Sequence, residues 1–287
     1  MDRTPLIVIG GRSIVAPYLI KRLAADGLGA DVISRQPIGL PEGFRSLPLD
    51  LAQPSPWRAP AKAIVVSLVP IWVLARSLSR FADVQSIVAV SSTSRYGKAS
   101  SDDPGERFTA ENLELSENIL KSWCLRNNIV CTILRPTLIY DGLRDENVTR
   151  IARFIRRFGT FPVASPGKGL RQPIHADDVA KAVLGALGNA AAYNKAINIA
   201  GGQVLTYRAM IEAVFRTLGR EPRPMLLPAK VLQCAFRLAG KLGVLHEKSF
   251  GFSVFKRMNE DLIFDCEEGL KLLDYNPRGF EPELKAS

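Results

Sequence analysis

The sequence predicts an α/β fold in which a doubly wound parallel sheet is followed by a smaller C-terminal lobe. Short apolar runs alternate with helical patterns through the first half of the chain. Continuous apolar, β-branched runs are typical of parallel strands that are buried on both faces. Beyond Gly142 this alternation gives way to a basic helix at 147–158 and a Gly/Pro-rich loop at 165–173. The change of pattern indicates a second lobe.

The opening stretch is a strand, a glycine turn, a helical pattern and a second strand. Residues 6–9 are continuously apolar and lead into Gly10 and Gly11, and a second strand is predicted over residues 30–33. This is the first unit of a Rossmann-type fold, in which the helix N-terminus offers free N–H groups and a positive dipole end to a pyrophosphate. We therefore expect a dinucleotide at this turn.

The glycine motif departs from G-x-G-x-x-G. Gly10 holds the first glycine position, and Ser13 and Ala16 hold the other two. Ser13 is small enough for close backbone approach, and Ala16 still lets the helix pack on the strand. A glycine turn that binds nothing is the alternative interpretation, because such turns follow many buried strands.

Two arginines favour NADP over NAD. Arg12 lies inside the turn, and Arg35 follows the second strand. An acidic residue there would bind the ribose 2′-hydroxyl of NAD, whereas arginine accommodates the 2′-phosphate of NADP. The alternative is that both are solvated surface side chains of a basic protein.

Composition suits a soluble globular protein with an anionic ligand. The 287 residues are 47% hydrophobic and 23% charged, with a net charge of +10. That excess suits nucleotides. No dense basic run appears, so we expect no nucleic-acid partner.

The four cysteines lack metal or redox spacing, which predicts no metal site and free thiols in a reducing cytoplasm.

Neither a signal peptide nor a membrane span is expected. The first five residues lead straight into the first strand. The most apolar stretch, residues 63–75, is too short to cross a bilayer and contains Pro70.

The remaining elements follow in order. Strands are predicted at 44–50, 61–67, 85–90, 129–134 and 196–199, and helices at 69–81, 106–126 and 147–158, after Ile174, and from a Thr206 cap to Leu218. We expect a nucleotide-binding domain over residues 1–142 and a smaller substrate lobe over 143–287, with residues 172–200 returning to the sheet.

Several motifs occur together in a fixed order. They are the glycine turn, Val90-Ser91-Ser92 with Tyr96-Gly97, Leu134-Arg135-Pro136 with Ile139-Tyr140, Ile174-His175-Ala176-Asp177-Asp178-Val179-Ala180, and Tyr193-Asn194 with Asn198-Ile199-Ala200-Gly201-Gly202. Together they resemble the extended short-chain dehydrogenase/reductase superfamily, the NAD(P)-dependent epimerase/dehydratase group. The similarity is greatest to nucleotide-sugar epimerases and 4-ketoreductases of bacterial surface-polysaccharide pathways.

The resemblance implies a catalytic set that this sequence holds only in part. The superfamily uses a Ser/Thr with a Tyr-x-x-x-Lys pair on the long helix. Ser92 matches the first of these, but anchoring the helix on Glu117 places Thr109 and Leu113 at the tyrosine and lysine positions. Threonine is too weak an acid, and leucine carries no charge. The chain is therefore an atypical member.

Three interpretations follow. A relocated acid, from Tyr140, Tyr96, Lys98 or Lys121, could act with Ser92 on a carbonyl. The protein could instead bind NADP without hydride chemistry, as a sensor or assembly subunit. Finally, the basic amphipathic pattern over residues 230–248 could serve a membrane or protein partner, although a helix packed on the lobe with a solvated face explains it as well.

The resemblance also implies binding residues. The candidate cofactor set is Gly10, Arg12, Ser13, Ile14, Arg35, Asp50, Leu51, Ser67, Val69, Ser91 and Pro136. Asp50 could bind the adenine amino group or simply form a turn. Candidate substrate contacts are Thr93, Arg144, Arg171 and Lys168, which suit the diphosphate of a nucleotide-sugar. Arg135 is expected to pair with a buried carboxylate and His175 to cap a helix. The resemblance also implies a homodimer formed through the long helices.

Overall fold

A seven-stranded parallel sheet forms the centre of the molecule. The computed structural model describes residues 4–232, 234 and 252–284. Its strands are β1 (Leu6–Ile9), β2 (Ala30–Ser34), β3 (Phe44–Pro48), β4 (Ile64–Ser67), β5 (Ser86–Val90), β6 (Val130–Pro136), β7 (Ile139–Tyr140), β8 (Phe161–Ala164), β9 (Leu170–Arg171), β10 (Ile174–His175), β11 (Ala196–Ile199), β12 (Leu205–Thr206) and β13 (Pro224–Leu227). The sheet order is β11-β6-β5-β4-β1-β2-β3.

Helices cover both faces of this sheet and build the lobe. They are α1 (Ala16–Ala25), α2 (Ile71–Ala75), α3 (Ser94–Gly97), α4 (Pro104–Arg126), α5 (Val148–Phe158), α6 (Ala176–Ala186), α7 (Tyr207–Thr217), α8 (Phe252–Arg257) and α9 (Glu267–Leu273). Short 3-10 segments occupy Leu78–Phe81 and Ala190–Ala192.

The strand order reverses between β1 and β4. Ile9 lies opposite Ile33 on one side and Ser67 on the other. Such a reversal opens a crevice at the carboxyl ends of the strands, where ligands of doubly wound sheets bind. The predicted Rossmann-type sheet is confirmed.

Three apolar clusters hold the elements together. One face of the sheet packs Val8 against α1 and α6, and the other packs Ile7 against α2 and α4. The third cluster lies in the lobe, where Ile155 and Phe215 contact β8. β11 joins the sheet beside β6, whereas β8 and β13 pair with each other in the lobe. The exact domain boundaries stay a prediction.

Two predicted elements differ from the structure. The single helix expected at 69–81 is wrong, because α2 ends at Ala75 and a 3-10 turn follows. The hydroxyl of Ser77 donates to the carbonyls of Val73 and Leu74, and its N–H also bonds Leu74. These local bonds compete with continued helix. In addition, β3 ends at Pro48, two residues before Asp50.

Two further findings concern the remaining expectations. Most of the basic amphipathic segment at 230–248 lies outside the described residues. Among the helices that the structure does describe, none combines the length and apolarity that crossing a bilayer requires.

Candidate active site

A cleft of about 730 Å³ lies where the carboxyl ends of the central strands meet the lobe. It brings together ten of the predicted site residues: Arg12, Ser13, Ile14, Ser91, Ser92, Thr93, Lys98, Pro136, Arg144 and Arg171. They come from the glycine turn, the ends of β5 and β6, and the lobe. The cleft therefore joins the predicted cofactor end to the predicted substrate end.

The glycine turn is shaped by two glycines. The N–H groups of Gly10 and Gly11 both donate to the carbonyl of Ile33, at 2.9 and 3.0 Å, and Gly10 has φ +93°. A Cβ on Gly11 would lie 2.6 Å from side-chain atoms of Val32 and Ile38. Gly10 thus supplies the positive φ, and Gly11 supplies the close packing against β2.

The start of α1 has free N–H groups. The Ala16 N–H donates to the carbonyl and the hydroxyl of Ser13. Within the described residues, no hydrogen bond engages the N–H of Ile14 or Val15, and Pro17 has no N–H to offer. Donors at a helix N-terminus with no protein partner suit a phosphate group.

A buried hydroxyl also lacks a partner near this turn. Ser67 ends β4 directly opposite Ile9, is 1% exposed, and its Oγ bonds no described group. A buried hydroxyl that bonds no described group can hydrogen-bond a ligand placed beside it. The residues present therefore fit a dinucleotide laid across the ends of β1 and β4.

The arginines predicted to select NADP lie at the outer end of the turn. Both Arg12 and Arg35 are exposed, and Arg12 donates to the side chain of Gln36. A second depression next to the cleft is lined by Gly11, Arg12 and residues 37–41. Arg35 does not line either cavity in the described part of the chain.

The other predicted cofactor residues lie outside the cleft. The Oδ1 atom of Asp50 accepts the N–H of Ala52 at 3.0 Å, as in an Asx turn. Leu51 packs into the core on the α2 and α4 side, where Val69 contacts the same cluster. Val69 also lies beside Gly10, within 3.0 Å of where its Cβ would be.

Four hydroxyl side chains follow β5, those of Ser91, Ser92, Thr93 and Ser94, and two of them already donate hydrogen bonds within the protein. Ser91 donates to Glu117 at 2.7 Å, and Thr93 donates to the carbonyl of Pro136 at 3.2 Å. The Ser92 hydroxyl instead accepts the N–H of Ser94 at 3.1 Å. Its own proton remains available to a ligand in the cleft. Ser92 and Ser94 both line the cleft, and Ser92 is the one that matches the superfamily's Ser/Thr position.

Glu117 holds this region in place. It is fully buried on α4 and receives hydrogen bonds from Ser91, Arg95 and Arg135. Burial by itself would raise the carboxyl pKa, but the hydrogen bonds from Arg135 and Ser91 and the nearby arginine charges lower it. The predicted pairing of Arg135 with a buried carboxylate is confirmed.

The expected tyrosine and lysine positions on α4 carry no acid. Thr109 donates its hydroxyl to the carbonyl of Gly105 at 2.8 Å. Leu113 is 4% exposed and packs in the core. An apolar side chain thus occupies the position that would hold the lysine.

The two candidate tyrosines lie away from the cleft. Tyr140 is fully buried, with its ring against His175 and Phe280 at centroid distances of 5.2 and 5.0 Å. Burial raises its pKa to about 12. Tyr96 is 42% exposed, and its hydroxyl accepts a hydrogen bond from Arg135 at 2.6 Å. Neither Tyr140 nor Tyr96 is among the described residues that line the cleft.

The two candidate lysines differ in whether they line the cleft. Lys98 lines the cleft, whereas Lys121, in the C-terminal part of α4, does not. Burial, followed by repulsion from Arg257, lowers the pKa of Lys98 below its ordinary value.

The lobe side of the cleft is cationic. Arg171 is 5% exposed and donates to the carbonyls of Leu170, Glu260 and Arg257, with no described carboxylate in ion-pair contact. Burial lowers its pKa to about 10. Arg144 lies near Asp141, at 3.7 Å, and its side chain stays half-exposed.

Several lining residues were not predicted as site residues. They include Arg150, Gln172, Tyr207, Arg257, Leu262 and Phe264. The stretch from Arg257 to Leu262 resembles the superfamily only weakly, and nothing in the sequence places it near β5. The predicted cap is confirmed, since His175 Nδ1 accepts the N–H of Asp177 at 3.1 Å.

Comparison with known families decides the relationship. The family model described as NAD dependent epimerase/dehydratase family matches residues 57–200. The chain belongs to this family. The resemblance inferred from the motifs is confirmed.

Individual relatives are distant in sequence but similar in fold. The 2'-dehydrokanamycin reductase of Streptomyces kanamyceticus is 24% identical over 251 residues, which cover 80% of this chain and 71% of the relative. A UDP-glucuronic acid 4-epimerase from Bacillus cereus, solved with UDP-glucuronic acid and NAD, is 14% identical with a TM-score of 0.71, covering 96% of this chain and 95% of the epimerase. A UDP-glucose 4-epimerase from Thermotoga maritima, solved with UDP-glucose, is 16% identical with a TM-score of 0.66, covering 98% and 96%.

Proposed function

We propose that the protein is an NADP-dependent oxidoreductase or epimerase that acts on a nucleotide-linked sugar. The observation that carries the proposal is the continuity of the cleft, which runs from the glycine turn to the Ser92 hydroxyl. A dinucleotide bound at the turn and a carbonyl or alcohol bound at Ser92 would share one cavity.

The chain offers specific groups to such a cofactor. The free N–H groups of Ile14 and Val15 would bind the pyrophosphate, and the Ser67 hydroxyl would gain the partner that it lacks. Arg12 and Arg35 support NADP over NAD, because guanidinium pairs with a 2′-phosphate. Bound in reduced form, the nicotinamide would supply a hydride.

The lobe offers groups to an anionic substrate. Arg171 carries a buried charge that the described carboxylates do not balance, and Arg144 and Arg257 line the same side of the cleft. Arginine recognises phosphate with strong charge-assisted hydrogen bonds. The nucleotide-sugars in the structural neighbours support this substrate class, and the relative named as a reductase supports reduction.

The proposal places the protein in the cytoplasm, where thiols stay reduced. A homodimer through α4 is part of the same proposal. Its support is the exposure of Phe108, Leu115 and Ile119 on that helix. Exposed apolar side chains along one helix are typical of an interface.

One observation favours a second candidate function. Leu113 fills the position of the usual lysine and packs in the core, so the ordinary acid–base pair is missing. A protein that binds NADP without hydride transfer, as a sensor or assembly subunit, is consistent with that replacement.

Single-turnover hydride transfer separates the two candidates. We would mix the protein with NADPH and a panel of nucleotide-4-ketosugars, and with NADP⁺ and nucleotide-sugars, while following nicotinamide absorbance. The oxidoreductase proposal predicts stoichiometric transfer with at least one sugar. It also predicts slowing of about 100-fold in Ser92→Ala, with Ser100→Ala, on an exposed loop, as the matched control. NADPH binding with no transfer to any sugar would favour the sensor.

A further inference from the structure

The chain lacks the usual catalytic tyrosine, and Lys98 is a titratable side chain that lines the cleft. We propose that the Lys98 ammonium group is the proton donor to the substrate oxygen that Ser92 binds. This inference rests on the proposed function, because it concerns the same reaction in the same cleft.

The backbone places Lys98 on the same rim as Ser92. The N–H of Lys98 bonds the carbonyl of Ser94 at 3.1 Å, so Lys98 lies one helical turn after Ser94 and on the same face as Ser94. Ser94, whose own N–H donates to the Ser92 hydroxyl, also lines the cleft. Lys98 therefore ends the single helical turn whose first N–H, that of Ser94, is bonded to the Ser92 hydroxyl.

The ammonium group of Lys98 extends into the cleft without a partner from the part of the chain that the structure describes. Among the described residues, neither a hydrogen bond nor an ion pair engages Lys98 Nζ. The charged groups that face it are Arg257 from α8, Glu106 from α4, and Asp103 at the start of α4. Glu106 is bound by Arg257, and Asp103 accepts the N–H of Gly105. Both carboxylates are thus committed elsewhere, and the lysine proton is free for a ligand.

The electrostatic surroundings suit a proton donor. Burial is the main cause that lowers the pKa of Lys98, and the charge of Arg257 lowers it further against the weaker opposing effect of Glu106 and Asp103. An ammonium with a lowered pKa gives up its proton more readily near neutral pH.

Competing acids are less suited. Tyr140 and Tyr96 do not line the cavity. Tyr207 does line it, but burial raises its pKa to about 12, and the guanidinium of Arg171 lies over its ring at 5.3 Å. Among these candidate acids, Lys98 both lines the cleft and carries a group whose pKa is lowered.

The step balances without a further reactant. In reduction, the hydride from the reduced nicotinamide forms the new C–H bond at the carbonyl carbon. The π electron pair of the C=O bond moves to oxygen, and that oxygen takes a proton from Lys98. The products are the alcohol, the oxidised nicotinamide and a neutral lysine amine, which regains its proton from water. In oxidation, the neutral amine takes the hydroxyl proton.

A spectroscopic test does not depend on turnover. Lysines would be reductively methylated with ¹³C-formaldehyde, and the Lys98 resonance assigned by its absence in Lys98→Arg. We expect its titration midpoint to lie below that of exposed lysines, and its chemical shift to change when UDP-glucose and NADP⁺ are added together. A midpoint equal to that of exposed lysines, or no response to these ligands, would overturn the proposal.

A kinetic test uses matched lysine variants. Lys98→Met should bind NADPH within about twofold of the unaltered protein but transfer hydride about 100-fold more slowly near neutral pH. Lys98→Arg should also be slow, because arginine keeps the charge but does not release its proton. Lys121→Met is the control and should transfer at the unaltered rate.

The outcomes separate this inference from the proposed function. Full transfer in Lys98→Met with loss in Tyr207→Phe would overturn the role of Lys98 and leave the oxidoreductase standing. NADPH binding with no transfer by the unaltered protein would defeat the proposed function, and the titration would then decide on Lys98 alone.

Discussion

Arg135 and Glu117 form a two-point ion pair beneath the ends of β5 and β6. The Nε atom of Arg135 lies 3.0 Å from Oε1 and 3.1 Å from Oε2 of Glu117. The pair joins α4 to β6, and Glu117 also binds Ser91 and Arg95. It therefore fixes the segment that carries Ser92 and Lys98 against the sheet.

Glu117→Gln should be strongly destabilising. The change leaves the buried guanidinium of Arg135 without its counter-charge, which costs about 3–5 kcal/mol in such settings. Urea unfolding followed by circular dichroism measures this free energy. Glu114→Gln is the matched control, since Glu114 pairs with Arg95 but is 59% exposed and should cost less than about 1 kcal/mol. Equal losses in the two variants would contradict the buried network.

Gly11→Ala should impair both folding and cofactor binding. The new methyl would meet Val32 and Ile38 at 2.6 Å, so the turn and β2 must move apart. Overpacking of this kind costs about 1–3 kcal/mol. Thermal unfolding and NADPH fluorescence titration measure the two effects. Gly39→Ala, where a Cβ meets nothing within 4 Å, should leave both near the unaltered values, and similar losses at both positions would refute this account of the turn.

Asp177 should stabilise the fold at neutral pH and lose that effect in acid. Burial opposes ionisation, but hydrogen bonds from Arg22 and Arg278 lower the folded-state pKa to about 2, from an ordinary value of 3.8. Because the folded pKa is the lower one, the stabilisation is present above pH 4 and disappears as the pH falls from about 4 to 2. The contribution is about 2 kcal/mol at most.

Unfolding measured across that pH range checks the effect. Asp177→Asn should lower stability at neutral pH, and its difference from the unaltered protein should shrink in acid. Asp26 is an exposed carboxylate outside the network, so Asp26→Asn serves as the control. A stability difference that does not depend on pH would contradict the assignment.

The sequence predicts the sheet well because each strand carries a local signal. The apolar runs of β1, β4 and β6 and the glycine turn depend only on neighbouring residues, and their order implies the topology. The Ser77 side-chain bonds that end α2 compete with helix in a way that periodicity does not reveal.

The cleft is harder to predict because it joins distant segments. Arg171 and Arg257 are 86 positions apart and meet through a guanidinium-to-carbonyl bond, which leaves no pattern in a single sequence. The burial of Tyr140 likewise depends on Phe280, which is distant in the sequence but packs against the Tyr140 ring. The sequence alone therefore does not distinguish Tyr140 from Tyr96 as candidate acids, whereas packing buries the first and leaves the second partly exposed.

Arg12→Ala and Arg35→Ala should each weaken NADPH binding and leave NADH binding nearly unchanged. Under the proposed choice of NADP, each would remove one charge-assisted contact to the 2′-phosphate, which corresponds to about tenfold in Kd. Calorimetric titration measures both ligands. Arg45→Ala is the control, because this exposed arginine pairs with Asp31 on the neighbouring strand. Equal weakening of NADH and NADPH would show that the arginines do not read the phosphate.

Calorimetric titration of the unaltered protein with NADPH and with NADH tests the central claim most directly. We expect both to bind with one-to-one stoichiometry and NADPH to bind at least about tenfold more tightly, since the guanidinium groups of Arg12 and Arg35 would pair with a 2′-phosphate. The absence of binding by either dinucleotide would contradict the claim that the glycine turn and the Ser67 hydroxyl hold a cofactor. Tighter binding of NADH would instead contradict the proposed choice of NADP.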